Sequence, residues 1–462
     1  MYALSRHTSA LDLVDAIEDE NEKISDSYLR VENTTRSIGR DVAVDEDIFK
    51  ELLPDILSTD GARLYSFGQG LADGCPEPLI MWQNFQIQLS SLETSKHNYQ
   101  VLRGFLNALS LINLGISEQI LNAAVTDSIL ACLFPILQTS VEINTQGIER
   151  LKEAIEYGAA PIWQYENLAY GRVHESINDK DLCDLLRLIA VKPDGHLVAI
   201  EILGMRLHGH LDKKQPLSDV IISLGQELLL KINFSRKDRR PNSIDYRLSE
   251  IIKACFVNDS AKENTKTLCI KLSHAFSNHD IYSMDYLHVL ESLAKKQPLA
   301  FLDGFLGDDV GHKQDIKRFF INDIESKHNP IPVIDEDLII DWCEANPKVR
   351  YANVASAIVP YRNSEKEGVL EWTPLSLRII DNSPNPVAVL TEFKSKFRPM
   401  SWSGSRGAIM QRGLILISVL RNHEKTAVSK WACKEERQFQ QEIESELRWE
   451  KDREISRNES FE

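Results

Sequence analysis

The chain has 462 residues, with 53 Lys and Arg against 69 Asp and Glu, which gives a formal net charge of −16. Hydrophobic residues make up 43% of it, too many for a disordered protein. The 21 glycines and 17 prolines are fewer than average usage, which argues against a collagen-like chain and an all-β sandwich. The acidic balance disfavours non-specific wrapping of nucleic acid, although a local basic patch would still hold phosphate.

The cysteines and the start of the chain indicate a cytoplasmic protein. None of the 7 cysteines lies within ten residues of another, so the sequence predicts reduced core thiols and no disulfide framework. Residues 1–22 contain no apolar segment of the kind that a signal peptide needs. The longest apolar run, from Ile129 to Leu137, is far shorter than the roughly 20 residues of a membrane span, so we expect no membrane insertion.

Helical periodicity dominates the chain from one end to the other. Leu102, Phe105, Leu106 and Leu109 follow the i, i+3, i+4, i+7 spacing of one helix face. The segments 182–189 and 268–276 repeat this spacing or a close variant. The pattern predicts about twenty helices joined by short loops, and it contains no clean two-residue alternation between hairpin turns. We therefore predict an all-α fold with little or no β-sheet.

The C-terminal third carries a faint repeat. Asn346-Pro347 and Asn385-Pro386 lie 39 residues apart, and each pair is expected to open a helix because Asn caps free N–H groups and Pro suits the first position. A further 39 residues on, the segment 424–431 takes the same place without the proline. A period near 40 is typical of HEAT and armadillo helix pairs, although chance recurrence of Asn-Pro is the alternative.

The predicted architecture is a right-handed α-solenoid of stacked helix pairs. Its parts are an N-terminal helical segment over residues 1–60, a helical repeat array over 61–330, and C-terminal HEAT-like repeats over 331–462. From about Ala427 to Arg457 the chain predicts one long charged helix with solvated pairs Glu444–Arg448 and Glu450–Arg453. We interpret it as a capping helix, and a protruding helix that grips a partner is the alternative.

Glycine and serine motifs give little support for nucleotide or serine chemistry. The chain lacks a phosphate-binding loop with its lysine, and Gly68, Gly70 and Gly74 are expected to mark a helix bend or end. Gly404-Ser405-Arg406-Gly407 lacks the glycine that a nucleophile elbow needs two positions before its serine. We expect Ser401, Ser403 and Ser405 to cap a helix over residues 409–420.

Two clusters suggest a metal-dependent hydrolase as an alternative function. His208, His210 and Asp212 are close in sequence, but they are expected to lie in a loop after a helix over residues 197–207. Glu392 and Lys394, with Asp381 upstream, resemble the acid-and-lysine set of metal-dependent nucleases. That chemistry places the set on a strand, whereas residues 387–397 predict a helix.

One concentrated basic run suggests a second alternative, a nucleic-acid-binding module. It follows Phe234 and contains four cations: Arg236, Lys237, Arg239 and Arg240. Such a run is able to hold phosphates. The competing interpretation is a solvated loop before a helix over residues 243–256.

Four landmarks carry a resemblance to a known group of proteins: residues 100–106, 161–172, 371–375 and 397–406. Together they resemble the helical C-terminal region of large multidomain bacterial proteins, whose front halves look like ATPase or effector modules. Some of these proteins look like antiviral defence proteins. The resemblance covers roughly residues 40–462 and implies an architecture and a setting but no reaction. Because the chain has no ATPase or effector half, we expect a stand-alone subunit or a fragment.

The landmarks contain the candidate binding residues Trp163, Tyr165, Trp402 and Arg406. Together with Tyr170, the aromatic ones are expected to line a groove or a seam between repeats, although aromatics at helix junctions belong more often to the core. We therefore predict a non-catalytic scaffold or recognition subunit with no cofactor and no metal. It would bind a partner protein, such as an ATPase or effector subunit, on a curved surface.

Overall fold

In the computed structural model the described residues are 24–61, 63–213, 216–235, 244–308, 319–320, 329–364, 369–399 and 402–459. The chain divides into two units, Met1–Leu224 and Gly225–Glu462. The basic run and its flanks, residues 236–243, lie outside the described residues.

The described part of the first unit consists of helices and connecting segments. The helices are α1 (Ile24–Ala43), α2 (Glu46–Ile56), α3 (Leu64–Gly74), α4 (Pro78–Ser91), α5 (Gln100–Ile112), α6 (Leu114–Ala124), α7 (Phe134–Gln138), α8 (Thr145–Tyr157), α9 (Asp179–Ala190) and α10 (Gly195–Lys213). A 3-10 helix, Ile162–Ala169, lies between α8 and α9. The boundary between the units falls within α11 (Asp219–Lys231).

The second unit is also helical, apart from one small hairpin among its described residues. Its helices are α12 (Ile244–Cys255), α13 (Ala261–Ser277), α14 (Leu287–Lys296), α15 (Pro298–Leu306), α16 (Glu336–Glu344), α17 (Arg350–Ala357), α18 (Pro374–Asn382), α19 (Pro386–Lys394), α20 (Arg406–Val419) and α21 (Thr426–Glu459). The antiparallel strands β1 (Tyr361–Asn363) and β2 (Leu370–Trp372) pair Tyr361 with Trp372. The predicted all-α fold is therefore confirmed.

The apolar faces predicted from periodicity form the core. Leu102, Phe105, Leu106 and Leu109 are all buried on α5. The corresponding residues of α9, from Leu182 to Ile189, are buried in the same way. The predicted faces thus pack inward, as the burial of apolar surface requires.

In part of each unit, helices pack against the second helix that follows them along the chain, whereas α9 and α10, and α20 and α21, pack as consecutive pairs. In the first unit α1 packs on α3 and α3 packs on α5, while α2, α4 and α6 form a second row. In the second unit α12 packs on α14, α13 on α15 and α17 on α19. Side-chain hydrogen bonds follow this order: Gln69 donates to Asn107, 38 residues away, and Trp342 donates to Asp303, 39 residues away.

The glycines of α3 let these helices approach closely. A Cβ built on Gly70 would overlap the carbonyl oxygen of Arg36 on α1, and one built on Gly68 would overlap that of Val101 on α5. Of the three glycines only Gly74 ends the helix, whereas Gly68 and Gly70 lie inside it. Their lack of a side chain serves contact between helix backbones.

The Asn-Pro pairs open helices unequally. Asn385 accepts a hydrogen bond from the N–H of Ala388 and caps α19, with Pro386 at its first position. At the other pair, the backbone carbonyl of Asn346 accepts from the N–H groups of Val349 and Arg350 and forms a turn before α17 begins at Arg350. The predicted helix start at Asn346-Pro347 is therefore one turn too early.

The prediction that the cysteines lie in the core is confirmed for some of them. Four of the seven thiols are buried, those of Cys183, Cys255, Cys269 and Cys343, whereas Cys433 is exposed on α21.

In the part of the chain that the structure describes, no helix has both the length and the apolar composition to cross a bilayer.

Candidate functional site

A cleft of about 560 Å³ opens between the N-terminal half of α20 and the C-terminal half of α21. We call it the tryptophan cleft, and it is lined by Arg398, Trp402, Arg406, Met410, Glu442, Ser445, Glu446 and Trp449. Met400 and Ser401 lie beside it in sequence but outside the described residues.

The first turn of α20 is fixed to α21 by capping. Ser405 begins the helix, because its hydroxyl oxygen accepts from the N–H of Ala408 over 3.0 Å, as predicted for this serine. Glu450 of α21 accepts from the Ser405 hydroxyl over 2.6 Å and from the N–H of Gly407 over 3.1 Å. These hydrogen bonds, the one from Ser405 foremost, lower the pKa of Glu450. A carboxylate at a helix N-terminus is also favoured by the helix dipole.

Close packing completes this anchor. A Cβ on Gly407 would lie 2.6 Å from a methyl carbon of Leu447, so the glycine lets α21 pass directly over the start of α20. Because the capping and the packing involve the same turn, the two walls of the tryptophan cleft are held at a fixed separation.

Two ion pairs cross the cleft. The Nε of Arg398 lies 3.0 Å from Glu442, and the Nη1 of Arg406 lies 3.0 Å from Glu446. The two glutamates are four residues apart on α21, so they lie on one helix face. Two cations and two anions balance, and the cleft lining carries no net charge.

The arginines are also stacked on aromatic rings. The guanidinium of Arg406 is 5.0 Å from the ring centre of Trp402, and that of Arg398 is 5.0 Å from that of Phe439. Such contacts add cation–π attraction to the ion pairs and restrict the side-chain rotamers. The arginines therefore present their planes in defined orientations.

Two half-exposed indoles flank the cleft. Trp402 is 46% exposed and Trp449 is 53% exposed. Arg453 lies 5.2 Å from the ring centre of Trp449, one helical turn further along α21. Trp and Arg are the residue types most enriched at the energetic centres of protein interfaces. The arrangement is suited to binding a polypeptide.

Of the predicted site residues, Trp402 and Arg406 share this cleft. Trp163 and Tyr165 belong to the first unit, where Trp163 is exposed. Tyr165 is only 1% exposed and packs in the core of that unit. Burial raises its pKa above the ordinary value for tyrosine.

The structure does not test the alternative site at the basic run. Arg236, Lys237, Arg239 and Arg240 lie outside the described residues, so the nucleic-acid hypothesis stays a prediction. Phe234, just before them, is buried with its ring edge on Tyr286, at a centre-to-centre distance of 5.0 Å.

The structure corrects the local environment predicted for the histidines. Helix α10 continues through Lys213, so the expected loop over His208, His210 and Asp212 is wrong. Positions 208 and 210 are two apart on this helix, and such positions do not face each other. Among the residues whose placement the structure gives, no three His, Cys, Asp or Glu side chains converge as metal ligands would. Glu392 and Lys394 lie on helix α19, as expected.

Sequence reasoning missed Arg398, Glu442, Glu446 and Trp449. The spacing of the two glutamates was visible, but their partners lie 44 and 40 residues earlier in the chain. The charges of the pairs predicted on α21 have other partners. Glu450 caps α20, and the Nε of Arg448 donates to the backbone carbonyl of Glu444.

Comparison with protein-family models, with curated proteins and with solved structures found no match to this chain.

Proposed function

We propose that this chain is a non-catalytic recognition subunit that binds a protein partner in the tryptophan cleft. The observation that carries the proposal is the pair of half-exposed indoles, Trp402 and Trp449, on either side of two stacked arginines. Covering a half-exposed aromatic side chain with a partner removes apolar surface from water, which favours formation of the complex.

The charge balance favours a polypeptide over a nucleic acid at this place. Glu442 and Glu446 neutralise the two arginines, so the cleft has no excess positive charge to attract a phosphate backbone. The ion pairs and stacking contacts also pre-arrange the arginines, which lowers the entropy cost of binding. The indoles would supply the apolar contact and the arginines the polar contact.

We further propose that the helices form an α-solenoid, with the right-handed stacking predicted from the sequence. Packing between alternate helices and hydrogen bonds across 38 or 39 residues support stacked helix pairs with a period near 40. Arrays of this kind commonly present extended surfaces to partner proteins. The resemblance of the landmarks supports a place in a cytoplasmic bacterial antiviral complex, with an ATPase or effector subunit as the partner.

Co-purification tests the proposed function. The tagged chain is expressed together with the products of its neighbouring genes, and the affinity of any stable partner is measured for Trp402→Ala/Trp449→Ala. We expect at least about a tenfold loss of affinity, because a central interface tryptophan contributes about 2 kcal/mol or more. Trp163→Ala is the matched control, since Trp163 is 56% exposed in the other unit. Unchanged binding by the double variant would contradict the proposal, and loss in the control alone would assign the partner to the first unit.

Activity assays test the non-catalytic part. The purified chain with Mg²⁺ or Mn²⁺ is expected to show no turnover of nucleic acids or nucleotides. Metal-dependent turnover that disappears in Glu392→Ala would overturn this part of the proposal.

A further inference from the structure

Large aliphatic side chains are exposed at or beside three successive connections between helices of the first unit: α1–α2, α3–α4 and α5–α6. Val44, between α1 and α2, is 71% exposed, and Ile80 in the first turn of α4 is 51% exposed. Between α5 and α6 the exposed fractions reach 82% for Leu111, 58% for Ile112 and 57% for Leu114. Single exposed aliphatic residues are ordinary, whereas a series of them at equivalent positions calls for a cause.

These three turns lie side by side because the helices before them run parallel. Gly70 of α3 faces Arg36 of α1, and Gly74 faces Arg40, so α1 and α3 advance in the same direction. Asn98, before α5, bonds the carbonyl of Thr59, before α3, and further along Asn107 of α5 bonds Gln69 of α3. The three connections and their exposed apolar residues therefore lie along one edge of the first unit.

We call this surface the apolar edge and define it as Val44, Ile80, Leu111, Ile112 and Leu114, together with Ile48 of α2, which is 45% exposed. Adjacent packed helices are about 8–10 Å apart, so three levels extend over roughly 20 Å. That is the length of about 13 residues of α-helix at 1.5 Å per residue. The apolar edge thus matches one short helix of a partner.

Acidic side chains border the apolar edge. The exposed carboxylates there are Asp41, Asp45, Glu46, Asp47, Glu51 and Glu77. Two exposed cations accompany them: Arg40, which bonds Asp73, and Lys50, which pairs with Glu46. A second copy of the chain, bound by the same surface, would bring two acidic borders together, and an anionic membrane would be repelled. The complementary ligand is positively charged.

We propose that the apolar edge binds a basic amphipathic helix of a partner protein. The aliphatic residues would contact its apolar face, and the acidic border would pair with Lys or Arg on its flanks, in the helix-in-groove mode of recognition. This surface belongs to the first unit, and the proposal does not depend on the tryptophan cleft.

A designed peptide tests the proposal on the full chain. The probe is a fluorescein-labelled peptide of about 18 residues, with leucines along one helical face and lysines on the other. Fluorescence anisotropy is expected to show binding that weakens at least about tenfold in Leu111→Ser/Ile112→Ser. Val191→Ser is the matched control, since Val191 is 73% exposed after α9, and it should bind as the wild type does. Equal binding by the double variant and the wild type would overturn the proposal.

A second peptide and a charge variant separate the two contributions. A scrambled peptide of the same composition, without an apolar face, should bind at least about tenfold more weakly, and its binding should be insensitive to Leu111→Ser/Ile112→Ser. Asp47→Asn/Glu51→Gln should reduce the salt dependence of binding by the amphipathic peptide. Equal affinity for both peptides would reduce the effect to general charge attraction and overturn the proposal. Two other results would assign the apolar edge to another occupant and also overturn it: self-association, or binding to vesicles of anionic lipid, that Leu111→Ser/Ile112→Ser abolishes.

Discussion

The glycines inside α3 show how one missing side chain can determine helix packing. Gly70→Ala would place a Cβ against the carbonyl oxygen of Arg36, so the two backbones would have to move apart. We expect a loss of about 1–3 kcal/mol in the free energy of unfolding, seen as a lower thermal midpoint of the first unfolding transition.

The control is Gly115→Ala, because the nearest atom to a Cβ at that position is 3.6 Å away. Alanine has the higher helix propensity, so this substitution should be neutral or stabilise by up to about 1 kcal/mol. Similar destabilisation by both variants would show that close packing is not the reason for Gly70.

Asp73 gives a prediction about pH. It accepts two hydrogen bonds from Arg36, over 2.6 and 2.9 Å, and this hydrogen bonding is the main cause of its lowered pKa. A carboxyl whose pKa is lowered by folding stabilises above its unfolded pKa, about 3.9, and loses that effect as the pH falls through the folded value. Asp73→Asn should therefore reduce the hydrogen-exchange protection of α1 and α3 by about 1 kcal/mol near neutral pH.

The difference between Asp73→Asn and the wild type should shrink as the pH falls below about 4. Exchange is measured on peptides from α1 and α3 at several pH values, with α9 as the internal reference. A difference that stays constant down to low pH would contradict an ionic role for Asp73.

At this scale the sequence predicts burial better than contact. The spacing of Leu102 to Leu109 predicts which face of α5 is buried, because burial repeats with the helix period. The contact of Gly68 with Val101 depends on which helices meet, and periodicity carries no information about that. For the same reason, the sequence identifies Trp402 and Arg406 as candidate binding residues but does not identify Glu446, the partner of Arg406 on another helix.

Among whole elements, side chains from distant parts of the chain cap helix ends. Lys271, Lys396 and Lys425 each donate to carbonyl oxygens at the C-terminal ends of α11, α17 and α18 respectively. Asp245 accepts from the N–H groups of His288 and Val289 at the start of α14, as Glu450 does for α20. Cations at C-termini and anions at N-termini match the helix dipole, so capping and stacking stabilise each other.

Lys396→Met tests this capping. Lys396 is 8% exposed and donates to the carbonyls of Ala355 and Ile358, so its loss leaves two buried acceptors without this donor. We expect a loss of about 1.5–3 kcal/mol and faster amide exchange at the C-terminal end of α17. Lys295→Met is the control, because Lys295 is exposed and pairs only loosely with Glu291, at 3.6 Å. Equal effects of the two substitutions would contradict the capping role.

Helix ends are predicted well only where the cap is local. Asn385 and Ser405 cap their own helices, and the residue types there indicated these starts, whereas the same Asn-Pro motif at Asn346 does not cap α17. The ends that Lys396 and Glu450 stabilise depend on residues about 40 positions away, which a local motif cannot encode. This also explains why the charges of α21 were predicted to pair within the helix.

At the largest scale, the described helices of each unit contact mainly helices that are close to them along the chain. Contacts between alternate helices and hydrogen bonds over about 40 residues link each level to the next within a unit. In a solenoid of the proposed kind, stability is approximately a sum over neighbours, and segments open separately. We expect the urea m-value to be clearly smaller than one cooperative unit of this size would give.

Circular dichroism and hydrogen exchange along a urea series measure this prediction. Peptides from different levels should lose protection at different urea concentrations. A single coincident transition with the full m-value would contradict the proposed solenoid.

The direct backbone contact of α1, α3 and α5 bears on the kinetics of binding at the apolar edge. Where Gly68 and Gly70 place helix backbones against each other, no rotamer change is available to alter the angle between the helices. The surface that these helices carry is then a fixed template, and the ligand rather than the protein loses conformational freedom. Association should proceed at about 10⁵–10⁷ M⁻¹s⁻¹ without a slow rearrangement, and differences in affinity between ligands should arise in the rate of dissociation.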